Sequence, residues 1–233
     1  GEVAYDVPPV TSVDRILAYL DELGDRTNVT LARHALSYAA DNAWSPMESI
    51  VALMTCLRPD ELGYGLGRVR LNVRHGATPE LVALGCKGSR VPDIEVEGTH
   101  VGFNYDSTLH LDLGSIAEAA SGGDATGAIR SVREKYLDDL RRNRELAALG
   151  SITLPVTAQD LFAPGGLDAV MLEAAMVIDQ VDGGFALSDV RAILGPGSLQ
   201  KRRQQLIWSL LPWEEGAAHA RAALARRPWD VAL

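Results

Sequence analysis

The stretch from Ile94 to Thr157 restricts the fold of this chain more than any other. "IEVE" (Ile94 to Glu97) alternates apolar and polar residues, and Gly98 with Thr99 reads as a tight turn. "HVGFNYD" (His100 to Asp106) returns as the second strand of a hairpin. A long helical pattern follows over Ala128 to Leu149, closed by Gly150, and then the short apolar strand "ITLPV". A strand reached through a helix after a hairpin predicts a mixed sheet with helices against it, an α/β sandwich. Upstream, "RVRLNV" alternates and adds a further strand, and Thr157 is placed to cap a short helix over "AQDLF".

Helices frame this centre. "TSVD" suits a capping box, with Thr11 as cap and Asp14 three residues on, ahead of the stripe Ile16, Leu17, Leu20 and Leu23. A second helix fits Asn28 to Ala40. "SPMES" opens a third, with Ser45 as N-cap and Pro46 in the first turn. From Pro164 onward the pattern is almost wholly helical, and no internal repeat is present.

Net charge is −9, from 31 acids against 22 Lys and Arg, which argues against a dedicated nucleic-acid binder without excluding a local basic patch. "KRR" at Lys201 to Arg203, with Arg191, Arg221, Arg226 and Arg227, gives the C-terminal helices positive charge. We read it as a solvated face ahead of a phosphate-facing patch. Trp208, Trp213 and Trp229 read as packing anchors, or as a partner surface if exposed. Cys56 and Cys86 read as two buried thiols in a reducing cytosol, so the chain is expected to be cytoplasmic. No apolar run approaches the ~18 residues of a membrane span. The opening "GEVAYDVPPV" does not read as a signal peptide, and without an initiator Met it is expected to begin inside a longer gene product. "GYGLG" lacks the Lys-Ser/Thr of a phosphate loop and reads as a turn, and His34 and His75 read as isolated surface or capping residues.

The residues that suggest chemistry lie around the hairpin. Asp93 opens its first strand, and Asn104 and Asp106, two apart, share a face of the second. Glu48 stands in the first turn of the preceding helix, where a helix dipole alone would favour a carboxylate. Such an oxygen-rich group suits Mg²⁺ or Mn²⁺. Strand-end acids are also ordinary solvated residues, and spacing alone leaves both readings open.

The stretch from Ser45 to Phe162 resembles bacterial proteins with a restriction-endonuclease-like core, members of the PD-(D/E)xK superfamily related to very-short-patch-repair endonucleases, some associated with abortive-infection antitoxins. Four blocks carry the resemblance in order: "SPMESIVALMTCLRPDELGYGLGRVRLN", "VPDIEVEGTHVGFNYDSTLH", "DLRRNRELAALG" (Asp139, Arg142, Leu146, Gly150) and "ITLPVTAQDL". It covers about half of the chain, with nothing recognisable beyond Pro164. It implies a helical segment over 1–43, a restriction-endonuclease-like core over 44–163 and a helical extension over 164–233. It also implies a site of Glu48, Asp93, Asn104, Asp106 and His110, with Glu48, Asp93 and Asp106 holding Mg²⁺ or Mn²⁺ for hydrolysis of a DNA phosphodiester. The chain departs from the pattern at Asn104, where the relatives carry Glu: an amide offers an oxygen but no charge. Glu95 and Glu97, on the strand face of Asp93, are acids placed to substitute. Three expectations follow: a metal-dependent nuclease, a catalytically silent nuclease-like module that binds nucleic acid or a protein partner through its C-terminal helices, and a structural domain whose acids are surface charge.

Overall fold

The computed structural model describes residues 8–24, 26, 28–106, 125–195, 197–212, 214 and 218. Its elements run α1 (Val13–Leu23), α2 (Val29–Leu36), α3 (Pro46–Cys56), a 3-10 turn (Pro59–Glu61), β1 (Val69–Leu71), β2 (His75–Gly76), α4 (Pro79–Ala83), β3 (Ser89–Arg90), β4 (Ile94–Val96), β5 (Val101–Asp106), α5 (Ala125–Ala148), β6 (Ile152–Thr157), α6 (Ala158–Phe162), α7 (Gly166–Val181), α8 (Ala186–Leu194) and α9 (Gly197–Leu210). Four strands form one sheet in the order β1-β4-β5-β6, and β2 pairs with β3 apart from it. The β1, β4 and β5 pairings are antiparallel, and β5 to β6 is parallel across the α5 crossover. The mixed sheet expected from the hairpin, helix and strand is therefore present.

The two faces of β5 do different work, because side chains alternate. Val101, Phe103 and Tyr105 point into the core, joined by Ile94 and Val96 of β4 and Val156 of β6. Helix α3 covers that core with Met47, Ile50, Val51 and Met54, all buried. Gly102, Asn104 and Asp106 take the opposite face, against which α5 lies. A Cβ at Gly102 would stand 2.5 Å from the Ile94 carbonyl oxygen, so only glycine lets β4 and β5 close at this point.

Capping residues set the helix starts. Ser45 Oγ accepts from the Glu48 N–H at 3.1 Å, and Thr157 with Asp160 forms a complete capping box. The cap of α1 is Ser12 and not Thr11, since Ser12 Oγ takes the Arg15 N–H. "RVRLNV" is a strand only over Val69–Leu71, because Asn72 turns into the left-handed region at φ 52°. The β2–β3 ladder and α4 have no counterpart in the sequence reading, since two-residue strands carry no detectable alternation.

The helices beyond residue 164 share one core with the sheet. Leu167, Val170, Met171, Ala174 and Ile178 of α7, with Ile207 of α9 and Leu211, belong to the same cluster as α3 and the sheet. Arg203, expected on a solvated face, is 1% exposed. Its Nη1 meets Asp168 Oδ1 at 2.6 Å, its Nε and Nη2 donate to the Leu62 and Ile193 carbonyls, and its guanidinium lies over the Tyr64 ring at 4.8 Å. Tyr64 Oη donates to the same Asp168 oxygen at 2.6 Å. Burial, and then the Asp168 charge, push the Tyr64 hydroxyl far above its ordinary range. Lys201 and Arg202 are exposed as expected, while Arg221, Arg226, Arg227, Trp213 and Trp229 lie outside the described residues. Trp208 Nε1 donates to the Phe162 carbonyl at 3.2 Å and packs against the core as an anchor. Both cysteines are free and half-buried, and burial pushes the Cys56 thiol up to about 11. Among the described residues no helix is long and apolar enough to cross a membrane.

Candidate functional site

Asp93 precedes β4 and is half-buried on the α5 side of the sheet. Its N–H donates to Asn104 Oδ1 at 3.1 Å, and its Oδ2 accepts the Tyr105 N–H at 2.7 Å. Burial raises the Asp93 carboxyl to about 6; the Tyr105 N–H and then the Arg142 charge oppose this, and the Glu48 and Asp106 charges add to it. The expected acids thus act on one another electrostatically from three elements. Among the described residues, however, no three His, Cys, Asp or Glu side chains form a ready-made metal ligand set. His110 lies outside the described residues.

Glu48 is 7% exposed, so it is more than a first-turn acid favoured by the helix dipole. Its Oε2 accepts the Trp44 N–H at 2.9 Å and Asn72 Nδ2 at 2.9 Å. Asp106 ends β5, exposed, opposite Thr157 of β6. Asn104 is 2% exposed and committed at both ends. Its oxygen accepts the Asp93 N–H, and its Nδ2 donates to Asn143 Oδ1 of α5 at 3.0 Å. Asn143 Oδ1 also accepts from Thr153 Oγ1 of β6 at 3.3 Å. The amide at 104 is a strap between β4, β5 and α5, a role that a carboxylate in the same surroundings would not fill on the Asn143 side.

The substitute acids are not free to serve. Glu95 is buried, with its carboxylate held by His75 Nε2 at 2.5 Å and Arg70 Nη2 at 3.3 Å, while Glu97 is exposed next to the β4–β5 turn. His75 is therefore not isolated, and His34 Nε2 meets Glu61 Oε1 at 2.5 Å.

Sequence reasoning missed two asparagines that organise the site. Asn143 lay unnoticed between the charged residues of α5. Asn72 sat inside an apparent strand; its signals were that it ends the first block of the resemblance, in "GRVRLN", and that Asn tolerates left-handed backbone better than most side chains. Two buried polar atoms among the described residues lack a hydrogen-bond partner, Asn72 Oδ1 and Arg142 Nε. The first belongs to a residue bonded to Glu48 and the second to one that acts on Asp93, so both orphans border this site.

The raised Asp93 carboxyl gives a pH dependence. Its folded value, about 6, lies above the ~3.9 of an unfolded Asp, so the folded state binds this proton more tightly. The stability it contributes is complete below about pH 4 and is lost as pH rises through about 6. Asp93→Asn is expected to stabilise the fold by about 2 kcal/mol at pH 7.5 and to leave it nearly unchanged at pH 4. Urea unfolding at the two pH values checks this; an equal effect at both would mean that Asp93 does not titrate in this window.

No family model, no curated protein and no solved structure matches the chain. The site therefore rests on its own chemistry.

Proposed function

We propose that this chain is a nuclease-like protein of the PD-(D/E)xK type, with a degenerate centre at Asp93, directed at DNA. The observation that carries the reading is the placement of Asp93 before β4, half-buried and bonded to β5 through Asn104 and Tyr105, within electrostatic reach of Glu48 of α3 and Asp106 at the end of β5. Three acids set against one another on a half-buried sheet end are costly unless a cation is drawn to them. The antiparallel strands followed by a helical crossover to a parallel strand also support it, since the resemblance implies a mixed sheet flanked by helices.

A bound Mg²⁺ or Mn²⁺ would supply activation of water and relief of charge building on a phosphate. Of the chain's own groups, Asp93 and Glu48 would hold the cation, and Asp106 would add negative charge at the open end. Asn104 would position Asp93 through its N–H. Arg142, whose buried Nε has no partner among the described residues and whose guanidinium lies 3.5 Å from Asp139, is a cation available to a phosphate oxygen.

A second reading has its own support. Asn104 is matched to donor and acceptor on both sides, so the surroundings fit an amide, as in a catalytically silent module that binds nucleic acid or a protein partner. Calorimetric titration of Mn²⁺ into wild type and Asp93→Ala tests the cation. Heat that disappears with Asp93→Ala supports the site, whereas no binding in wild type removes the metal-dependent reading and leaves the silent module.

A further inference from the structure

We infer that Asn72 supplies a cation ligand through its side-chain oxygen, together with the carboxylates of Glu48 and Asp93. This assignment rests on the cation reading above and replaces the ligand that the resemblance expects at position 104. No sequence pattern marked Asn72 for the role.

The amide's orientation is fixed by its surroundings. Its Nδ2 donates to the Asn42 carbonyl oxygen at 2.8 Å and to Glu48 Oε2 at 2.9 Å. Both partners are acceptors, so a flipped amide would set oxygen against oxygen twice. That leaves Oδ1 buried, with no donor, on a residue only 6% exposed. An unsatisfied buried acceptor costs about 1–3 kcal/mol, and in native proteins it calls for a further partner, a water or an ion.

The same residue is bonded to both acidic residues, to Asp93 through the main chain and to Glu48 through the side chain. Its backbone N–H donates to the Asp93 carbonyl at 2.9 Å, and its side chain reaches Glu48. The left-handed backbone at φ 52° ends β1 at Asn72. Both bonds to Glu48 fall on Oε2, and the Tyr105 N–H falls on Asp93 Oδ2. Among the described residues, Glu48 Oε1, Asp93 Oδ1 and Asn72 Oδ1 are then the oxygens left to a ligand. Two carboxylates, one amide oxygen and retained waters make a hard, oxygen-only set suited to Mg²⁺ or Mn²⁺. The alternatives are already occupied: Asn104 at both ends, and Glu95 by His75 and Arg70.

The test is calorimetric titration of Mn²⁺ into the full chain and three variants. Asn72→Gly removes the amide and suits the left-handed backbone. Asp93→Ala removes a carboxylate of the proposed set. Asn42→Gly is the control: Asn42 is also left-handed, at φ 73°, and its side chain bonds the Leu71 and Asn72 carbonyls, but it is not a ligand here. Mn²⁺ is expected to bind about tenfold more weakly to Asn72→Gly and to lose measurable binding in Asp93→Ala, with Asn42→Gly within about threefold of wild type. Unchanged affinity in Asn72→Gly, with binding lost in Asp93→Ala, overturns the role of Asn72 and leaves the cation site standing. Equal losses in Asn72→Gly and Asn42→Gly also overturn it, by showing loop disruption. Absence of binding in wild type overturns both the ligand and the site.

Discussion

Arg203→Met is expected to lower the unfolding free energy by about 3–5 kcal/mol, the effect of stranding one partner of a buried ion pair. The pair is enclosed: side-chain exposure is 2% for Arg203 and 11% for Asp168. Removing the guanidinium takes away a 2.6 Å charge-assisted bond, two bonds to the Leu62 and Ile193 carbonyls and the contact over Tyr64. Among the described residues, Asp168 would keep only the Tyr64 hydroxyl. Arg202→Met, one residue earlier and exposed, is expected to change stability by less than about 0.5 kcal/mol. Adding Asp168→Leu to Arg203→Met should recover part of the loss, since an apolar replacement no longer strands a charge. Urea unfolding of the four proteins decides the matter; equal effects of Arg202→Met and Arg203→Met would mean that the pair does not hold α9 to the core.

That contrast shows where a sequence stops being readable. "KRR" places three cations in a row, and helical geometry spreads them around the axis, so one of the three can face inward. What makes Arg203 the inward one is Asp168 on α7 and Tyr64 after α3, partners 35 and 139 residues away. The sheet was legible because its signals are local: alternation in Ile94–Val96, a Gly-Thr turn, and a capped helix opening at Ser45. At the site, residue types were legible and commitments were not. Glu95 reads as a spare acid along the strand, but across the sheet it is held by Arg70 of β1 and by His75 of β2. Asn104 reads as a carboxylate lost, whereas its neighbours Asn143 and Thr153 turn it into a strap between three elements.

Asn104→Glu is accordingly expected to need a change in two neighbours. A glutamate can still accept the Asp93 N–H, but it cannot donate to Asn143 Oδ1, which now takes the Asn104 amide at 3.0 Å. Asn143 can answer by turning its amide so that Nδ2 faces the new carboxylate. Thr153 Oγ1, at 3.3 Å, then switches from donor to acceptor, as a hydroxyl is able to do. The variant should therefore fold and carry a further negative charge beside Asp93. If the proposed nuclease lacks only that charge, Mn²⁺-dependent nicking of supercoiled DNA should rise at least ~100-fold over wild type, since a recovered metal ligand contributes several kcal/mol to transition-state stabilisation. Asn104→Gln, with an added methylene and no charge, should give no such rise. Combining Asn104→Glu with Asn143→Leu should abolish the gain, because the carboxylate then meets an apolar side chain in a closed space. Nicking that stays at the wild-type level in Asn104→Glu, with Mn²⁺ bound, would mean that more than one group has been lost. The strap formed by Asn104, Asn143 and Thr153 would then be the feature to explain, and a surface that holds nucleic acid or a protein without cutting would fit it better.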